Sequence, residues 1–274
     1  MRVEIGAFGV WRMARAVTPE LAEQVEALGF GAIWLGGSPA GDLTLVEVLL
    51  DATDRIPIAT GIVNMWRDES ATVGESYRRI EAKHPGRFLL GVGIGHREAI
   101  ELYQRPLEKM VDYLDGLDEA GVPREDVVLA ALGPKALALA AVRTAGAHPY
   151  LTTPRHTGYA RGVMGAGPLL APEHKVVLDT DPGRARSEGR TVVSRYLDRV
   201  NYRNNLLREG WSETDLADGG SDRLVDALVL HGSVESVAAG LVAHREAGAD
   251  HVGIQVLGDE PLEAYRELAE ALLG

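Results

Sequence analysis

The stretch Thr18 to Gly37, TPELAEQVEALGFGAIWLGG, holds the pattern that decides the fold. Thr18-Pro19 reads as a helix start, with Thr as N-cap and Pro at the first helical position. Leu21, Val25 and Leu28 then fall on one helical face, and Gly29 supplies a left-handed stop. The short apolar run Ala32-Ile33-Trp34-Leu35 follows as a strand. The same succession of helix, Ala-Gly and strand returns at Ala120-Gly121 before Val127 to Ala130. It returns again at Ala145-Gly146 before His148-Pro149-Tyr150, and at Ala247-Gly248 before His251 to Gln255. Strands apolar on both faces and separated by amphipathic helices specify a parallel sheet.

Further strands are expected at Val3 to Phe8, Ile56 to Val63, Phe88 to Val92 and Lys175 to Leu178, which makes eight. Helices are expected near 44–52, 70–84, 107–120, 134–144, 155–164, 183–208, 221–229, 234–247 and 261–272. Eight alternating units favour an α/β fold of the (β/α)8 TIM-barrel type, read as one domain over 1–274. A dinucleotide-binding open sheet is disfavoured. Gly6-Ala7-Phe8-Gly9 lacks the G-x-G-x-x-G spacing, as does Gly91-Val92-Gly93-Ile94-Gly95, and no P-loop is present. The segment of about 183–229 breaks the alternation as a helical insertion, interrupted at Gly210-Trp211-Ser212 and Gly219-Gly220-Ser221. Its Tyr196, Asn201, Tyr202, Asn204, Asn205 and Trp211 suit either a cap over a substrate pocket or an oligomer surface.

Composition narrows the function. The chain has 274 residues, 46% hydrophobic and 25% charged, which is ordinary for a globular protein with a full core. Cysteine is absent, which removes disulfides, thiolate metal sites and a cysteine nucleophile. A net charge of −12 with scattered basic residues argues against a nucleic-acid surface. The N-terminus reads as a strand and not as a signal peptide, and no apolar run approaches bilayer length. A soluble cytoplasmic protein acting on a small molecule, without nucleic acid or membrane as partner, is the expectation.

In a barrel of this kind chemistry gathers where the strands end. Gly133-Pro134 opens a helix whose first N–H groups point outward, so it is the candidate anion site, with Lys135 and the hydroxyls of Thr152 and Thr153 beside it. An ordinary capped helix is the alternative. His96, just past the glycine-rich end of strand four, is the candidate general acid or base, against a structural or solvent-facing histidine. The histidines show no H-x-H or H-E-x-x-H spacing, so no metal site is expected. Asp42 and Asp68 read as caps or solvated loop residues.

Several of these segments together resemble the bacterial luciferase-like family of flavin and deazaflavin oxidoreductases. The resemblance spans nearly the whole chain, through GFGAIWLGG at 29–37, TGIVNMW at 60–66, GRFLLGVGIGH at 86–96 and ALGPKALALAA at 131–141. TAGAHPYLTTPRHT at 144–157 and HGSVESVAAGLVAHREAGADHVGIQVL at 231–257 extend it. HPYLTTPRHT, with KVVLDTDPGRAR and NYRNNLLREGW after it, is similar to a subgroup assigned to the deazaflavin coenzyme F420.

The resemblance implies a TIM barrel with the cofactor ring across its C-terminal mouth. It also implies a strand-three bulge with a non-prolyl cis peptide, which falls within Gly61-Ile62-Val63-Asn64, first of all at Gly61–Ile62. Gly93 joins that cofactor-binding set, and Gly133, Pro134, Lys135, Thr152 and Thr153 match the phosphate region. Relatives that oxidise sugar phosphates or alcohols carry an acid and a histidine after strand two; here that place holds Gly37-Ser38, and His96 stands where an acid follows strand four. Hydride transfer between F420 and a small organic substrate, with His96 moving the proton, is the implied activity. An FMN-dependent monooxygenase and a non-catalytic deazaflavin-binding protein are the alternatives. Lys135, Arg155 and Arg161 are the candidate partners of the cofactor's negative charge, and a homodimer is the expected assembly.

Overall fold

The computed structural model describes residues 3–95 and 105–274. Its strands are β1 (Phe8–Met13), β2 (Ile33–Gly36), β3 (Ile58–Gly61), β4 (Val63–Asn64), β5 (Phe88–Gly93), β6 (Val127–Leu129), β7 (Gly146–Ala147), β8 (Leu169–Leu170), β9 (Glu173–Val177), β10 (Val229–His231) and β11 (Val252–Val256). Every pairing among them is parallel. The hydrogen-bonded order is β10-β9-β11-β1-β2-β3-β5-β6-β7-β8, with β4 continuing β3 alongside β5.

The chain from 169 to 177 brings the two flanks together. On one side Ala171 N donates to Ala147 O and Glu173 N to Pro149 O, both at 2.9 Å; on the other, Gly253 N donates to Pro172 O at 2.9 Å. The sheet therefore curls into the barrel expected from the eight units, with β10 added beside β9.

Around it lie α1 (Pro19–Ala27), α2 (Thr44–Ala52), α3 (Ser70–Lys83), α4 (Pro106–Glu119), α5 (Pro134–Arg143), α6 (Pro154–Met164), α7 (Pro182–Leu197), α8 (Val200–Arg208), α9 (Glu213–Leu216), α10 (Asp222–Leu228), α11 (Val234–Glu246) and α12 (Leu262–Leu273). α1 begins as the sequence says, with Thr18 accepting from Leu21 N at 3.2 Å; Thr153 caps α6 in the same way, accepting from His156 N at 3.2 Å, each ahead of a first-turn proline. Strand side chains alternate between two cores. Trp11, Trp34, Ala59, Leu89 and Val128 fill the barrel interior, while Val10, Ile33, Leu35, Ile58, Phe88 and Leu90 pack outward under the helices. Among the described residues no helix is long and apolar enough to cross a membrane.

Some expectations move. The first strand is Phe8–Met13 and not 3–8, because Phe8, Gly9 and Val10 pair with β11 and Val10 to Met13 pair with β2, while Gly6 turns the chain at φ +62°. The sixth strand is Gly146–Ala147, ahead of the expected 148–150. The expected helix 183–208 is two helices that break at Asp198-Arg199, and the helix expected to reach 229 yields to β10.

One register detail shapes the site. Ile58 and Ala59 pair with Phe88 and Leu89, whereas beyond the bulge Val63 and Asn64 pair with Val92 and Gly93. Between the two ladders the Thr60 hydroxyl donates to Gly91 O and accepts from Gly91 N, both at 2.8 Å. It stands in for the backbone partners that Gly61 and Ile62 withdraw. The Gly61–Ile62 peptide is cis, at the bond the resemblance implies.

Candidate active site

A cavity of about 610 Å³ opens at the C-terminal ends of the strands. Its floor is Trp11 of β1, Gly61 and Ile62 of the bulge, and His148 and Tyr150 just past β7. Ile94 and Gly95 after β5, and the run Ala130 to Ala136 through the start of α5, form one wall. Pro106, Leu107 and Met110 of α4 extend it, and Met13, Gly37 and Ser38 sit opposite. Tyr196 of α7 with Asn201, Tyr202, Asn204 and Arg208 of α8 makes the outer wall, so the helical insertion does cap a pocket.

Hydrogen bonds fix the chemistry of the floor. His148 Nδ1–H donates to Ala171 O at 2.7 Å, which leaves Nε2 as a bare acceptor. Burial pushes this imidazole down to about 4, so it is neutral near pH 7. Among the described residues neither His148 Nε2 nor Trp11 Nε1, both buried, has a hydrogen-bond partner. Both converge on Gly61: a Cβ there would lie 2.8 Å from Trp11 Nε1 and 3.1 Å from His148 Nε2. Glycine at 61 is thus what leaves room at this donor–acceptor pair.

Below the outer wall, Lys175 Nζ lies 2.9 and 3.0 Å from the two carboxylate oxygens of Glu173, and both residues are fully buried. Burial drives the Glu173 carboxyl up and the Lys175 ammonium down, and their mutual contact opposes both shifts. The ammonium also sits 3.8 Å from the centre of the Tyr150 ring, whose hydroxyl donates to Gln255 Oε1 at 3.2 Å. This network holds Tyr150 upright against Trp11, ring centroids 5.2 Å apart.

The sequence-derived candidates divide. Gly61, Ile62, Asn64, Gly133, Pro134 and Lys135 all line the cavity. Val63 is fully buried in the outward core, as the alternation of β4 requires. Gly93 lies behind the bulge, where an added Cβ would meet Ala130 at 2.7 Å and Ile62 at 3.1 Å. Thr152 is buried with its hydroxyl unpartnered, outside the lining. Thr153 caps α6 and donates to Glu209 Oε2 at 2.8 Å, so its hydroxyl is engaged within the protein. Arg161 is tied to Asp250 at 2.6 Å and to Gly248 O at 2.9 Å, at the opposite end of the barrel from the cavity. Arg155 is exposed and outside the lining. His96 lies outside the described residues.

Sequence reasoning missed Trp11, because the first strand was set five residues early, and it missed the role of His148. Arg208 also escaped notice, although Asn201, Asn204 and Arg208 repeat at helical spacing. Among the described lining residues Lys135 and Arg208 are the charged ones, and no carboxylate faces the cavity, in a chain of net charge −12.

A parallel barrel with its pocket at the C-terminal strand ends is the arrangement of a barrel enzyme. The chain belongs to the luciferase-like monooxygenase family, whose sequence profile matches residues 12–251. No functionally curated protein matches it significantly. Solved structures of the same fold include an F420-dependent secondary alcohol dehydrogenase in complex with an F420-acetone adduct, with TM-score 0.76, 13% identity and 99% of each chain covered. The coenzyme F420 dependent tetrahydromethanopterin reductase of Methanopyrus kandleri superposes with TM-score 0.72, at 14% identity over 98% of each chain. The oxygenating constituent of 3,6-diketocamphane monooxygenase from Pseudomonas putida, in complex with FMN, follows at TM-score 0.68, 14% identity and 96% of each chain. The family makes this chain an oxidoreductase.

Proposed function

We propose that this chain is a coenzyme F420-dependent oxidoreductase that moves a hydride between the deazaflavin C5 and a small organic substrate, as a cytoplasmic homodimer. The observation that carries the reading is the cavity itself: a floor bounded by the Gly61–Ile62 bulge, and charged lining supplied by Lys135 and Arg208 without a facing acid. Its residues fit such a cofactor. An added Cβ on Gly133 would meet nothing within 4 Å, so the α5 N-terminus is open for a phosphate beside Lys135. Trp11 and His148 line the floor, with Trp11 Nε1 and His148 Nε2 buried beside Gly61.

When bound, a deazaflavin supplies a two-electron hydride carrier that does not activate oxygen. The protein supplies the surroundings. Ile62, Ile94, Leu107 and Met110 exclude water from the reacting faces, and Tyr196 and Tyr202 close the outer side. His148 keeps a neutral imidazole beside Gly61, and His96 is the proposed carrier of the substrate proton. The motif HPYLTTPRHT at 148–157 supports the deazaflavin over FMN, as do the two F420-dependent proteins among its structural relatives.

The FMN-bound relative supports a second reading, an FMN-dependent monooxygenase on the same barrel. Turnover separates them. Protein supplied anaerobically with F420 and a panel of alcohols and carbonyl compounds should change the deazaflavin absorbance. Oxygen uptake with reduced FMN and none of that change would favour the monooxygenase.

A further inference from the structure

We propose that Arg208, flanked by the carboxamides of Asn201 and Asn204, is a carboxylate-binding subsite on the outer wall of the cavity, separate from the Gly133–Lys135 end. The proposal rests on the cofactor reading above and adds a second anchoring point to it. The three residues stand at i, i+3 and i+7 on α8, so one helix face turns two amide groups and a guanidinium toward the same space.

The guanidinium is held in place by a built chain of hydrogen bonds. Arg208 Nη1 donates to Asn205 Oδ1 at 3.1 Å, Asn205 Nδ2 donates to Glu209 Oε1 at 2.9 Å, and Thr153 Oγ1 donates to Glu209 Oε2 at 2.8 Å. Asn205 and Glu209 are 2% and 7% exposed, so the anchor lies inside the protein while the guanidinium stays at the cavity. Thr153 in turn is fixed as the cap of α6.

Among the described residues no carboxylate forms an ion pair with Arg208, and none lines the cavity with it. A guanidinium oriented by its neighbours, with the Glu209 carboxyl nearby but buried on the anchoring side and no carboxylate in the cavity lining, is prepared for an incoming anion, and its planar fork matches a carboxylate. In a protein of net charge −12 it also sets a local positive field at the pocket mouth.

A carboxylate can come from two sources, the glutamate tail of the cofactor or the substrate. Arg208→Gln and wild type are titrated by fluorescence with glutamylated F420 and with F420-0, which lacks glutamate. The F420-0-loaded proteins are then titrated with benzoate and with its neutral isostere benzamide. Loss of about tenfold or more in affinity for glutamylated F420, with F420-0 within about twofold, assigns the subsite to the tail. Unchanged cofactor affinity with loss of the benzoate preference assigns it to the substrate. Arg208→Lys, which keeps charge but not the fork, should fall between the two proteins, and equal melting temperatures exclude misfolding. Identical affinities of Arg208→Gln and wild type for all four ligands would overturn the proposal. Should wild type bind no F420, the cofactor reading fails; benzoate against benzamide, titrated on the free protein, then decides the subsite alone.

Discussion

Trp34 and His148 stack face to face, ring centroids 4.1 Å apart and planes 9° from parallel. Trp34 Nε1–H donates to His251 Nε2 at 2.9 Å, and His251 Nδ1–H donates to Gly6 O at 3.0 Å. His148 Nδ1–H donates to Ala171 O. The stack thus ties β2 to β11 and to the segment after β7, fixes the tautomer of both histidines, and sets the level of the pocket floor. Trp34→Phe removes the indole N–H and leaves a buried imidazole nitrogen unpaired. A loss of about 2–4 kcal/mol is expected in urea unfolding followed by circular dichroism.

Acid should unfold this protein earlier than its carboxylates alone would dictate. Burial holds His148, His244 and His251 down at about 4 each, against the ordinary 6.5. A base depressed in the folded state contributes stability that is complete above 6.5 and lost as pH falls toward 4, because the unfolded chain binds the protons first. His244 is further locked between Thr157 Oγ1 and His174 Nδ1, both at 2.8 Å. The melting temperature should therefore fall by about 10 °C or more between pH 6.5 and 4. A flat profile across that window would contradict the neutral, buried assignment.

Glu209 behaves in the opposite sense. Burial pushes its carboxyl up to about 7, although Thr153, Asn205 and the nearby Arg155 and Arg208 favour the charged form. A raised acid contributes stability that is present below about 4.5 and lost as pH rises through 7. Glu209→Gln should melt about 2–4 °C above wild type at pH 8, and the difference should vanish near pH 4.5.

The bulge depends on one hydroxyl. Thr60→Val keeps the shape but leaves Gly91 N and Gly91 O buried and unpaired. The cost should be about 2–4 kcal/mol, with weakened cofactor binding because Gly61 and Ile62 lose their support. Chemical denaturation and a cofactor titration on the same variant measure both. Gly91→Ala should fail outright as soluble protein, since a Cβ would sit 1.8 Å from Thr60 O.

Helix starts were the most legible part of this sequence, since Thr18-Pro19 and Gly133-Pro134 carry local chemistry that specifies a helix N-terminus. Long apolar strands such as Phe88 to Gly93 were equally plain. The first strand was misplaced because 3–8 and 8–13 are both apolar enough; only pairing with β2 and β11 chooses between them. β8 and β10, two and three residues long, are too short to leave a period. In the site, the strand-end glycines Gly61 and Gly133 that the sequence singles out line the cavity. The hydroxyl of Thr153 is held by Glu209, the C-cap of α8, a partner 56 residues away that no local pattern reveals. Arg208 depends on that same non-local chain, so its place became visible only in three dimensions.

The most direct test of the account is a fluorescence titration of the purified protein with oxidised F420 and, in parallel, with FMN. Micromolar binding of F420 with much weaker FMN is the predicted result. Preferential binding of FMN, or of neither, would contradict the deazaflavin assignment.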